Sequence, residues 1–362
     1  MLKQPSQDLR YVADGETSPS LNAAWVDLAT RSADAAPSSA PDLVMPFLGK
    51  AHIAGVYAQD QLLLAMPLQR GLLTDQSYHS PITDCGTCHA DRLFGQTAMS
   101  LLLSKRGRPV MLKSVPIQSQ FYGMLETGSG HFAVLQNWKR ASLKLSGAYE
   151  TWLEQNFDTK RRKEFKRLRN RLGEQGTLQN VQLGKKDDAG PFIAAFLKLE
   201  AKGWKGKRGT ALANNPQTSA ATHLALDALH KAGKLHFWSI TLDGKTIASL
   251  FAYVDGNKAS LGKIAYDEAF AKFSPGVLLI LNATEDLFNE GIISEVDSSA
   301  IPDHPMINRL WRHRIAMADI MVAPASVSAL RFKATVMAEK MRRTLRAALK
   351  HSYYHFGRKG RS

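Results

Sequence analysis

Three strand-length segments joined by tight-turn signals, then a capped helix and a fourth short strand, leave few folds open to residues 234–297. Leu235 to Leu242 alternates and is rich in aromatic residues. Asp243-Gly244 follows, and a type I′ hairpin turn needs two such residues because both central positions take φ > 0. Thr246 to Val254 is a second strand, Asp255-Gly256-Asn257 a second turn, and Lys258 to Tyr266 a third strand. Together they form an antiparallel meander. A loop, Asp267 to Phe273, leads to Ser274-Pro275-Gly276 and a helix from Val277 to Asn289 closed by Gly291; Ile292 to Asp297 is the next strand. A strand, helix, strand sequence within one sheet calls for a right-handed crossover and a parallel pair.

The rest of the chain is organised around this unit. A length of 362 residues suits two domains, and 44% hydrophobic residues can fill a real core. Residues 1–42 read as a loop-rich segment with one helix near Leu21 to Thr30, and Ala33 to Pro41 as loop. Residues 43–145 form an N-terminal domain, with a hairpin about Gln59-Asp60, a helix over 92–104, a buried strand from Pro109 to Val115 and further strands over 131–145. Residues 146–325 form a second domain, in which Asp158 caps a basic helix and Pro191 to Lys202 and 217–232 are helical. Residues 326–362 are a basic helix and tail. The piece VYAQDQLLLAMPLQ (Val56 to Gln69) echoes ITLDGKTIASLFAY (Ile240 to Tyr253) in its strand, turn, strand pattern, which points to a tandem duplication.

Chemistry enters at the crossover. Ser274 is placed to N-cap the helix, Pro275 suits its first position, and Gly276 lets a ligand approach the backbone. The first helical N–H groups lack internal partners, so a pyrophosphate fits such an end; an ordinary helix cap reads the same way. The segments FLKLEAKGWKGKRGTAL (Phe196 to Leu212), LDGKTIASL, KIAYDEAFAKFSPGVLL (Lys263 to Leu279) and EVDSSAIPDHPMINRLWRHR (Glu295 to Arg314), with the helix TKRRKEFKRLRNRLGEQG, narrow the choice. In combination they resemble the GNAT superfamily of acyltransferases, and within it the FemAB-related, CelD/BcsL-like (cellulose-biosynthesis acetyltransferase) branch.

The resemblance implies an α/β (α+β) GNAT fold, with a mixed central sheet flanked by helices in a tandem, FemAB-like arrangement. It implies acetyl-CoA or another acyl-CoA as co-substrate, with pantetheine in the split between the two strands that flank the crossover helix. Lys263, Ile264, Ala265 and Tyr266 would line one side and Val296 to Ser299 the other. The pyrophosphate would meet Lys272, Phe273, Ser274, Pro275, Gly276 and Val277, although this loop is poorer in Gly and Arg than the usual GNAT phosphate loop. Direct acyl transfer needs a base, an oxyanion donor and an acid for the thiolate, and no covalent nucleophile. Asp297 and His304 are the candidate bases and Tyr266 the candidate acid; the alternatives are a turn-capping Asp, a surface His and a packed Tyr. Glu200, Trp204 and Lys205 would shape the acceptor site. The expected function is N- or O-acyl transfer to a sugar, a polysaccharide precursor or a related acceptor. The alternatives on the same fold are an aminoacyl-tRNA-dependent Fem-like transferase and a non-catalytic binding module in polysaccharide assembly.

Charge and cysteine content bound the partners. Forty-seven Lys plus Arg against 32 Asp plus Glu give +15, which favours anionic partners such as phosphates, nucleic acid, acidic glycans or an anionic membrane face. Eight basic residues crowd the twelve from Lys160 to Arg171, behind an apolar stripe of Phe165, Leu168 and Leu172. They read as a solvated face or as a contact to CoA phosphates, an anionic acceptor or RNA. Cys85 and Cys88, the two cysteines, fall in C-x-x-C-H with His89. Haem, zinc and redox readings all fit that spacing, but no second cysteine pair or export signal accompanies it, so it reads as a loop and no metal is expected. With no apolar leader and no transmembrane run, a cytoplasmic location is the expectation. The tail helix carries Met341, Leu345 and Leu349 on one face and reads as docked on the domain or laid on an anionic membrane.

Overall fold

The meander is one end of a sheet of thirteen strands. The computed structural model describes residues 9–15, 19–32, 36–49, 51–83 and 88–359; residues 33–35 of the expected loop, and Cys85, lie outside them. The strands are β1 (Leu9–Gly15), β2 (His52–Ala58), β3 (Gln61–Arg70), β4 (Asp75–Ser77), β5 (His89–Ala90), β6 (Val110–Pro116) and β7 (His131–Lys144). They continue as β8 (Leu178–Gln182), β9 (Leu235–Leu242), β10 (Lys245–Asp255), β11 (Lys258–Tyr266), β12 (Glu295–Asp297) and β13 (His313–Ala323). Their order is β1-β2-β3-β4-β6-β13-β7-β12-β11-β10-β9-β8, with β5 paired to β3.

That order reads alike from both ends. From each edge, four strands run antiparallel and meet a parallel neighbour, β6 beside β4 and β12 beside β11. The two halves then exchange their last strands. β7 leaves the first half to pair with β12, β13 leaves the second to pair with β6, and the two pair with each other from His313↔Ser142 to Ala323↔His131. The echo seen in sequence is a structural repeat: the β2–β3 and β9–β10 hairpins turn at Gln59-Asp60 and Asp243-Gly244, with Gln59 at φ 53° and Asp243 at φ 50°. The boundary at 145/146 is thus a boundary of sequence that the sheet crosses three times.

Helices cover both faces. The first half carries α1 (Pro19–Arg31), the crossover α2 (Gly95–Arg106) and α3 (Gln120–Gly128). The second carries α4 (Tyr149–Asn156), α5 (Thr159–Gly173), α6 (Gly190–Lys202), the single turn α7 (Trp204–Lys207), α8 (Pro216–Lys231), the crossover α9 (Pro275–Glu290), the short α10 (Ile307–Leu310) and α11 (Ala329–Lys359). Asp158 caps α5 by accepting from Arg161 N at 2.7 Å. The α5 stripe of Phe165, Leu168 and Leu172 is buried with α4 and α9 on one face of the sheet, and each such side chain contributes roughly 1.5–3 kcal/mol. On the other face α6 and α8 pack on Phe237, Phe251 and Tyr253.

Four elements differ from expectation. The N-terminal segment holds a strand, β1, that pairs with β2 across a long connection. The helix α3 and the central strand β13 had no counterpart in the sequence reading. Residues 131–145 form one 14-residue strand rather than several.

Candidate active site

The split opens where β11 loses its neighbour. β11 and β12 pair in parallel only at Lys258↔Glu295, Ala259↔Val296 and Ser260↔Asp297. Just beyond, Gly262 and Lys263 stand opposite the single residue Phe251 of β10. This is a β-bulge, which bends the strand and re-aims its edge. Among the described residues β11 and β12 do not pair beyond Ser260↔Asp297, and the two strands part from Leu261 onward. The resulting cavity, of about 270 Å³, is lined by β11 from Leu261 to Ile264 and by Ser298, Ser299, His304, Met306 and Lys205. Val296, expected as lining, is fully buried in the core below.

The loop after β12 is braced from the other half of the molecule. Arg140 of β7, 3% exposed, donates to Asp297 Oδ2 at 3.3 Å and to the Ala300 carbonyl at 3.1 Å. Asp297 Oδ1 accepts from Ser299 N at 2.8 Å, so Asp297 caps the turn and lines a neighbouring cavity with Ser142 and Ser260 rather than the one that holds His304. Ser299 has φ 49°, and its buried hydroxyl has no partner among the described residues. His304 Nδ1 faces the N–H groups of Met306 (3.3 Å) and Ile307 (3.4 Å). Burial, helped by the Lys205 charge, pushes the His304 pKa below its ordinary value.

Glu200, Trp204 and Lys205, which the resemblance assigns to the acceptor site, lie together on one cavity. The Glu200 carboxylate, 3% exposed, accepts from Lys205 Nζ at 2.7 Å and from Leu212 N at 2.9 Å. Trp204, half exposed, donates its backbone N–H to Glu268 at 2.6 Å. These residues, Tyr266 and Ile264 line a small second cavity that shares Lys205 and Ile264 with the first. A Cβ at Gly206 would fall 1.7 Å from the Ala201 carbonyl, so glycine is required for α7 to fold back on α6.

At the phosphate end two expectations change. Ser274 does not cap α9 through its side chain: it adopts the left-handed conformation (φ 52°, ψ 50°), whereas a capping side chain needs an extended backbone. The segment before it is a 3-10 turn, Glu268–Phe273, whose Phe273 ring is buried in the core. Gly276 is buried, and a Cβ on it would lie 3.4 Å from Tyr266, 3.6 Å from Ile264 and 3.6 Å from Met306, so it sits where the two cavities meet. Lys272 and, from α5, Arg171 stand over the Phe273 ring at 4.9 and 5.8 Å. The basic helix therefore ends beside the start of α9, a placement its sequence alone left open.

His89 belongs to a different environment. Trp25 Nε1 donates to its Nδ1 at 2.9 Å, and Nε2 lies 3.2 Å from Ser39 Oγ, which donates to the Ala36 carbonyl. The neutral ring therefore carries its proton on Nε2, and both nitrogens are engaged within the fold. The described residues contain no cluster of His, Cys, Asp and Glu able to hold a metal.

Residues 159–304 match the acetyltransferase (GNAT) domain family. No curated protein sequence matches the chain. Among solved structures, FemX superposes with a TM-score of 0.55 at 10% identity, over 86% of this chain and 96% of that one. The L-PGS structure from Bacillus licheniformis gives 0.52 at 10%, over 91% and 98%. A C-terminal (DUF2156) domain from Agrobacterium fabrum, assigned to a lysylphosphatidylglycerol synthetase, gives 0.55 at 11%, over 86% and 96%. The tandem mixed sheet is thus shared with these structures along nearly the whole chain, and residues 159–304 within it match the GNAT acetyltransferase domain.

Proposed function

We propose that the protein transfers an acyl group from acyl-CoA, acetyl-CoA foremost, directly to an amine or hydroxyl of a sugar or polysaccharide precursor. The observation that carries this reading is the parting of β11 from β12 beyond Ser260↔Asp297, at the Gly262–Lys263 bulge, which opens beside the N-terminus of α9. Extended backbone amides there suit a pantetheine arm, and Lys272 and Arg171 supply charge for its phosphates. His304, with Nδ1 receiving backbone N–H groups, keeps its proton on Nε2 and serves as a hydrogen-bond donor to the developing oxyanion. Asp297, engaged by Arg140 and Ser299, acts by holding the cleft loop; as the C–S bond breaks, the proton lost by the acceptor passes to the departing CoA thiolate, giving CoA-SH. Trp204 offers a half-exposed aromatic face to a sugar ring, with Lys205 beside it; the CelD/BcsL-like resemblance supplies the same acceptor class.

Calorimetric titration with CoA and acetyl-CoA tests the donor site. Gly276→Leu would fill the junction of the two cavities, and we expect it to weaken binding at least about tenfold, near 1.4 kcal/mol, with the fold intact by circular dichroism. Unchanged affinity in that variant would remove the assignment. One observation favours a second reading, an aminoacyl-tRNA donor: the basic α5 ends at the donor cleft. Absent CoA binding together with co-purifying RNA would select it.

A further inference from the structure

α11 is anchored to the protein along one face only. Phe332 is buried and Val336 packs with it against Met321 and Val327. One to two turns further on, Arg343 reaches Asp319 at 2.6 Å, and Glu339 is held by Arg342 and Arg343. The spacing 332, 336, 339, 343 is one helical face at about 100° per residue. The opposite face carries Leu330, Met337, Met341 and Leu345, which are 81%, 66%, 63% and 60% exposed. A helix docked on a protein normally turns its polar side outward; here the outward stripe is apolar.

Charge frames that stripe. Lys333 and Lys340 lie on one flank, and Arg331 and Arg342 on the other. Glu339, the one carboxylate between Ala329 and Leu349, is turned inward among arginines. A second observation continues the surface. The tip Leu72-Leu73 is 96% and 58% exposed, and it shares a groove with Arg106, Arg108 and the first turns of α11.

We infer that this surface is a docking face for an anionic phospholipid bilayer. An apolar stripe bordered by cations is the arrangement that lies in the headgroup boundary with its side chains in the acyl region. A second copy of the chain would set the same flanking cations against each other, which disfavours self-association through the stripe. No helix among the described residues is long and apolar enough to cross a membrane, so the contact is one of surface adsorption. It would bring the acyltransferase cleft to acceptors held at a membrane.

The full chain is floated with vesicles of phosphatidylcholine alone and of phosphatidylcholine mixed with phosphatidylglycerol. The expected result is co-flotation with the anionic vesicles only. Met341→Glu with Leu345→Glu should lower the bound fraction at least about tenfold, and Lys333→Glu with Lys340→Glu should lower it as well. Both pairs are on the solvent side, so the thermal midpoint should stay at the parent value. Failure to float with anionic vesicles would overturn the inference, as would binding that survives the Met341/Leu345 change. A parent dimer in sedimentation that becomes monomeric in that same variant would also overturn it, by assigning the stripe to self-association.

Discussion

His89 is buried and His79 partly buried, and in each desolvation is the main cause of a pKa pushed down to about 4. The unfolded chain titrates these groups near the ordinary value of about 6.5. Between those limits the unfolded state binds protons that the folded state refuses, so stability falls as pH drops below 6.5 and levels off above it. By pH 5 the loss should be about 2 kcal/mol for each histidine. Urea midpoints at pH 7 and pH 5 measure it; a flat profile would mean that these rings are not held neutral. At this scale the sequence was a partial guide. It marked His304 and Tyr266 by their place near strand ends, and Glu200 and Lys205 through the family resemblance, and the fold brings them around two adjoining cavities. It did not reveal that Asp297 would be engaged by Arg140, because that partner is 157 residues away. Nor did it show Ser274 in a left-handed conformation, because a Ser-Pro-Gly string is compatible with either backbone.

The bulge in β11 is the element on which the cleft proposed for the donor depends. A Cβ at Gly262 would lie 2.1 Å from Phe251 Cε2, and Phe251 is fully buried between Phe196 and Phe237. Gly262→Ala should therefore cost about 1–3 kcal/mol as overpacking and weaken CoA binding together with stability. Gly123→Ala, in α3 with open space around it, is the control: it should leave CoA binding unchanged and raise stability by about 0.5–1 kcal/mol. Urea unfolding and calorimetry on the two variants decide; a Gly262 variant with parental stability would mean that Phe251 moves freely. Elements with a period of their own were legible: the meander by alternation and turn residues, α5 by its stripe and cap. β13 was not, because HRIAMADIMVA lies in the middle of the sheet with neighbours on both edges and shows no clean alternation. β1 was missed because its partner lies beyond α1, so no adjacent hairpin announced it.

At the scale of the whole molecule the exchanged strands make the halves interdependent. Residues 146–362 alone would lack β7, leaving β12, three residues long, and β13 without the strand between them. That piece should be insoluble or molten when expressed by itself, and co-expression with residues 1–145 should return a soluble complex that co-purifies. Cooperative unfolding of 146–362 alone would contradict the exchange. By itself the sequence determined the local units: hairpins, capped helices, the crossover and the repeated β-turn-β pattern. These follow from side-chain period and turn chemistry within a few residues of each other. Only the tertiary structure decided which half each central strand would join, and that Arg140 from one half would brace the cleft loop of the other. The same holds for the outer face of α11, which stays apolar and open. Such choices rest on contacts between residues far apart in the chain, and local sequence pattern carries no record of them.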